Sequence, residues 1–346
     1  MDRRFDLLRV FACFLVVIIH ISGSDANVLN SNWWAGNVYD SFARASVPIF
    51  FMISGAMLLP KSEPLLAFFR KRFWKVIPPL VGWSLFYLWW LHHNGLHIGP
   101  PVYWILAILR GPTMYHLWFF YAILGLYLFV PLMRRAYLAS SQPERLLILT
   151  LWFGWISAYP MLNTLLTGEP FVTTSGNPHS IGYFAPYAGY MFLGAVLSEH
   201  AWRKSTGALL FAAGVAATVA MTAIYTQRAG HLDQTFYDYL APNVTVAAAG
   251  LFMLFLGMQK GASPPWLSRL SLYTVAIYGV HVFLIDPVAE ILRVSKTTGI
   301  GWIDVPFTAA FVFLTAAAIA HLLRVFEDAV RAAARIFAAR YQARLL

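Results

Sequence analysis

An all-α integral membrane protein with about ten transmembrane helices is the fold class this chain predicts, and three observations carry the prediction. Hydrophobic residues make up 59% of the 346 positions and charged residues only 12%, roughly half the charge fraction of a soluble domain. The mean hydropathy is +0.62. Apolar runs of about 18 residues recur along the whole length, as helices that cross a bilayer require.

The first run, 5–21, follows Arg3 and Arg4 as a secretory leader would. No small-residue cleavage site follows His20, and Arg9 interrupts the apolar stretch, so it reads as a retained first helix. Ionisable groups are expensive in hydrocarbon, and two in one span form a functional hypothesis. Eleven residues at 100° each place Arg9 and His20 on one helix face, about 16 Å apart. The second run, 39–59, holds Arg44, with Asp40 one turn earlier as its bland partner. Ser54 and Gly55 in the same run read as helix-packing residues. The third, 73–91, opens on the basic stretch 70–75, where Arg72 and Lys75 share a face and could clamp phosphates besides anchoring the helix. His116 opens the fourth run, 117–132. Runs at 146–162, 183–197, 208–225 and 244–258 follow, several interrupted by Gly, Pro or polar residues. The ninth, 272–291, holds His281 in mid-span with Tyr278 one turn before it. Asp286, Glu290 and Arg293, near its far end, are expected to pair with one another. A tenth run, 305–323, completes the set.

Charge distribution gives the topology. With the N-terminus inside, twenty of the 25 basic residues fall in the segments that join it, which places both termini in the cytoplasm. The remaining five are Arg44, Arg110, Arg228, Arg293 and Lys296. The net charge of +10 and the pI near 9.7 are thereby explained without a nucleic-acid partner. Loops on the outer side are richer in Gly, Pro, Asn and His, yet too short to form a separate soluble domain. Two parts are expected: a membrane domain over 1–323 and a basic tail over 324–346. Phe326, Val330, Phe337, Tyr341 and Leu345 recur in that tail at helical spacing between arginines, as in an amphipathic helix lying on the inner leaflet.

The lone cysteine, Cys13, excludes a disulfide framework and a cysteine-rich metal site. His20, His116 and His281 stand singly, without the paired spacing of metal ligands, so no metal is expected. An imidazole titrating near neutrality can take a proton from a hydroxyl, which makes His20 the candidate general base.

Together these residues resemble the membrane-bound acyltransferase-3 family. The first helix shows that family's arginine and histidine, here Arg9 and His20. The second shows Ser-Val-Pro-Ile-Phe-Phe-Met-Ile-Ser-Gly, and the third opens on Lys-Arg-Phe-Trp-Lys-Val-Ile-Pro-Pro. His-Leu-Trp-Phe-Phe follows at His116, and Ile-Tyr-Gly-Val-His ends at His281. The motifs occur in order over essentially the whole chain. Where many members carry two arginines three apart, this chain carries Arg72 and Lys75, and a lysine lacks the bidentate fork. The hydrolase-like extracytoplasmic domain of some members has no counterpart, so the membrane domain is expected to complete transfer by itself.

The resemblance implies a multi-pass O-acyltransferase of the bacterial inner membrane. Its donor would be cytoplasmic acetyl-coenzyme A, with Arg9, Arg72 and Lys75 receiving the phosphates. His20 would deprotonate a hydroxyl of a lipid-linked or cell-surface glycan. Arg44, His116, Tyr278 and His281 would stabilise the oxyanion or orient the acceptor. Two other readings stay open at the level of the residues. A transporter of an anionic metabolite would show paired repeats and interrupted helices. A membrane glycosyltransferase would want a carboxylate pair, and none stands out.

Overall fold

A computed structural model describes residues 2–96, 99–168, 174–292 and 298–343, with side chains described to 285 in the ninth span and to 332 in the tail. The described residues are mostly helical and form no strand; Asp2 and Ala262 make one isolated bridge. The helices are α1 (Arg3–Ala26), α2 (Trp33–Ala43), α3 (Ser46–Leu58), α4 (Leu65–His93), α5 (Trp104–Arg110), α6 (Trp118–Ala139) and α7 (Gln142–Trp152). They continue with α8 (Tyr159–Thr167), α9 (Ile181–Phe184), α10 (Ala188–Ser198), α11 (Lys204–Ala229), α12 (Pro242–Leu256), α13 (Pro265–Leu292) and α14 (Gly301–Ala343).

Among the described residues nine helical segments are long and apolar enough to cross a membrane. They match nine of the ten expected runs. The tenth, the expected third, is α4. At 29 residues it is long enough, but its first half carries Arg70, Lys71, Arg72 and Lys75, and Pro78, Pro79 and a Trp-rich second half follow. The second expected span is two helices, α2 and α3, joined by a turn at Arg44 and Ala45. The fifth is α7 and α8 fused through a π-helical turn, Phe153–Ala158. The described part of the tail prolongs α14 without a break. Arg293, Lys296 and Leu345, and the side chains of Asp286, Glu290, Phe337 and Tyr341, lie outside the described residues.

α1 is the axis of the bundle. Asp2 caps it by accepting the Arg4 backbone N–H at 3.0 Å. Leu8, Ala12, Leu15, Val16 and Ile19 are buried against α2, α3, α13 and α14. In a membrane such packing is set by small residues that let backbones approach. A Cβ on Gly55 would fall 1.9 Å from the Met191 carbonyl oxygen, and one on Gly194 would fall 2.1 Å from that of Met52. α3 and α10 therefore cross at glycine on both sides, as expected for Gly55. Gly207, Gly214 and Gly250 seat α11 on α12 in the same way. Leu146, Leu147, Leu151 and Leu166 on α7 and α8, and Leu314 and Leu322 on α14, point outward. Those helices form the rim.

Candidate active site

Lys and Arg gather at one end of the bundle, and a cavity of about 550 Å³ opens there. Six cations line it: Arg9, Lys61, Lys71, Arg72, Lys75 and Arg134. Glu63 is the single lining carboxylate. It accepts a hydrogen bond from Lys71 and lies 3.8 Å from Arg72. The bond from Lys71, with the charges of Lys71, Arg72 and Arg134, holds the Glu63 carboxyl below the usual carboxylate range.

Arg9 enters the cavity from α1 and is held from behind. Its Nη1 donates to Asp6 at 3.2 Å and to Ser271 Oγ at 2.8 Å. Asp6 is fully buried and also accepts from Ser263 and Ser271, at 2.5 and 2.8 Å. Lys75 closes no ion pair among the described residues, and the charges of Arg9 and Arg72 both act on it. The three residues expected to share donor binding thus line one cavity.

Farther in, the walls become apolar, with Val16, Val47, Phe50, Phe119 and Phe120. Tyr278 stands at this inner end. The other four predicted site residues each lie about one turn from a lining residue of the same span. His20 follows Val16 on α1, Arg44 precedes Val47, His116 precedes Phe119, and His281 follows Tyr278. Four segments therefore bring their functional side chains to the same level, one turn past the cavity's inner end.

The three imidazoles meet there. Ring centroids of His20 and His281 are 5.1 Å apart, those of His116 and His281 5.2 Å, and those of His20 and His116 6.4 Å. His116 and His281 are buried and His20 is half-buried. His281 Nδ1 lies 2.7 Å from the Tyr278 carbonyl oxygen. His281 Nε2 and both His116 nitrogens are buried without a hydrogen-bond partner among the described residues. Buried polar atoms of this kind call for an explanation, and a ligand's polar atoms would supply one. Among the described residues no group of three His, Cys, Asp or Glu side chains is placed to hold a metal ion.

Arg44 and Tyr278 are engaged by the protein itself. Arg44 Nε donates to Asp40 at 2.5 Å and Nη1 to the Tyr237 carbonyl at 3.3 Å, while its guanidinium lies over the Tyr237 ring at 4.4 Å. The Tyr278 hydroxyl donates to the His116 carbonyl, and its ring packs on both His116 and His281. Tyr278 is therefore the partition between the cavity and the imidazoles.

Several residues of the site escaped the sequence reading. Asp6 lies one turn before Arg9 on the same face, and the arithmetic that paired Arg9 with His20 would also have found it. Arg134 lies beyond the end of the fourth apolar run, 117–132. α6 runs on to Ala139, and Val130, Arg134 and Tyr137 recur on its buried face. Tyr87 had no signal. Its hydroxyl donates to the Gly279 carbonyl at 2.8 Å and accepts the Phe283 N–H at 3.1 Å. These are the two groups that one helical i→i+4 bond would join, so Tyr87 braces the turn of α13 that bears His281.

A basic-ended cavity runs into the helical bundle and stops at Tyr278, about one turn short of the clustered imidazoles, an arrangement that suits a membrane-embedded enzyme. The acyltransferase domain family matches residues 2–323, and the chain belongs to that acyltransferase-3 family. No curated protein and no solved structure matches the chain.

Proposed function

We propose that the protein transfers an acetyl group from coenzyme A to a hydroxyl of a lipid-linked or cell-surface glycan, with His20 as general base. The observation that carries this reading is the continuity of the site. One cavity gathers Arg9, Arg72 and Lys75 at its basic end, continues between apolar walls, and reaches Tyr278, whose ring packs on two of the three clustered imidazoles. Phosphates suit the first part, a pantetheine arm the second, and a thioester the third.

In the reaction a His20 nitrogen accepts the proton of the acceptor hydroxyl. The hydroxyl oxygen attacks the thioester carbon, the carbon–sulfur bond breaks, and the leaving thiolate takes the proton back from His20. The unpartnered nitrogens of His116 and His281 offer donors to the oxyanion in their protonated-nitrogen tautomers. Arg44, fixed by Asp40 and Tyr237, orients the acceptor.

Positive residues at the cavity mouth support a cytoplasmic donor side, with both termini in the cytoplasm of a bacterial inner membrane. Within the family the stretches around Arg44, His116 and His281 resemble the O-acetyltransferase WecH, which acts on enterobacterial common antigen. That resemblance favours a glycan acceptor.

The test is transfer from radiolabelled acetyl-coenzyme A to a lipid extract by purified protein in liposomes. His20→Ala is expected to bind donor normally and transfer no label, and Arg9→Ala to lose donor binding. Turnover by the His20 variant would remove the base assignment.

A further inference from the structure

Arg134 has the least complete set of partners for a cation so deeply buried among the described residues. It is 6% exposed. Nε donates to the Leu58 carbonyl at 3.1 Å and Nη1 to the Glu63 carbonyl at 3.4 Å, while Nη2 is buried without a partner among the described residues. Arg72 Nε is in the same condition. The two guanidinium groups lie 5.2 and 5.1 Å from the centre of one ring, Phe68. Two like charges thus flank one ring, and the one carboxylate lining the cavity here, Glu63, lies 3.8 Å from Arg72 and also serves Lys71. A buried guanidinium nitrogen without an acceptor is costly. One carboxylate is too little charge for this group.

We propose that Arg72 and Arg134 form a subsite for a phosphate monoester at the mouth of the cavity. It is distinct from the contact that Arg9 and Lys75 make farther in. Lys75 lies one turn beyond Arg72 on α4, about 4.5 Å deeper. A phosphate monoester carries nearly two charges and three acceptor oxygens, which matches two guanidinium groups with vacant donors. Glu63 holds the place of that group and yields when it arrives. The inference rests on the donor reading above and sharpens it. Two separated phosphoryl contacts select a nucleotide-borne thioester over a phosphopantetheine arm on a carrier protein, which brings one phosphodiester.

The experiment compares binding of coenzyme A and of dephospho-coenzyme A, which lacks the ribose phosphate monoester. It uses the full chain in phosphatidylcholine vesicles, as wild type, Arg134→Gln, Arg134→Lys and Glu63→Gln. Wild type is expected to prefer coenzyme A by about tenfold or more, the worth of one charge-assisted hydrogen bond. Arg134→Gln should lose that preference while binding dephospho-coenzyme A as wild type does, which also shows that it folds. Arg134→Lys should recover part of the preference, and Glu63→Gln should bind coenzyme A more tightly than wild type. An undiminished preference in Arg134→Gln overturns the subsite and leaves the donor reading standing. Wild type that binds neither ligand overturns both. A lipid headgroup is the other source of this chemistry. No preference in wild type, with phosphatidic acid bound by wild type and released by Arg134→Gln, assigns the subsite to lipid and overturns the nucleotide reading.

Discussion

Asp6 carries more of the site than its place near the N-terminus indicates. Its carboxylate is fully buried, and Arg9, Ser263 and Ser271 all donate to it. Removing one partner of a buried ion pair leaves the other charge uncompensated, at about 3–5 kcal/mol. Arg9 keeps its bond to Ser271 and its side chain is 17% exposed, so we expect Asp6→Asn to cost less, about 1–3 kcal/mol. It should lower the unfolding temperature in detergent and weaken donor binding together; neither change would show that Arg9 positions itself. At this scale the sequence was legible wherever helical arithmetic applied. The pairing of Arg9 with His20 needs only their spacing on one helix. The meeting of His20, His116 and His281 was not legible, because three segments far apart in the chain supply one imidazole each.

Helices meet in this protein through glycine, and the consequences differ by position. A methyl group on Gly55 would overlap the Met191 carbonyl at 1.9 Å, whereas one on Gly82 meets nothing within 4 Å. Gly55→Ala is expected to push α3 from α10 and destabilise the protein by about 1–3 kcal/mol or more. Gly82→Ala, in α4, should be neutral or stabilising by up to about 1 kcal/mol, since alanine is the better helix former. Thermal unfolding of the two variants side by side checks the contrast, and equal stability would contradict the crossing. Gly55 could be read as a packing residue because it sits beside Ser54 in an apolar run. The length of α6 could not: hydropathy falls at Arg134 and Arg135, while the helix continues and turns Arg134 inward. α4 fails on hydropathy for a related reason, since tryptophans and prolines lower the average without shortening the helix.

The architecture as a whole follows from composition, because apolar runs must become helices in a bilayer, where every backbone group needs an internal partner. The cavity does not follow from composition. Its walls come from α1, α3, α4, α6 and α13, and no local pattern reports which helices stand together. What ties the scales together is the alignment at the cavity's inner end, where lining residues on separate segments are each followed by a site residue. Labelling with a coenzyme A thioester bearing a photoreactive acyl group tests that alignment. Crosslinks, mapped by mass spectrometry, are expected at Val16, Phe119, Phe120 and Tyr278, with the imidazoles beyond them as secondary sites and free coenzyme A as competitor. Crosslinks confined to the outward-facing leucines of α7, α8 or α14, or unaffected by coenzyme A, would contradict it.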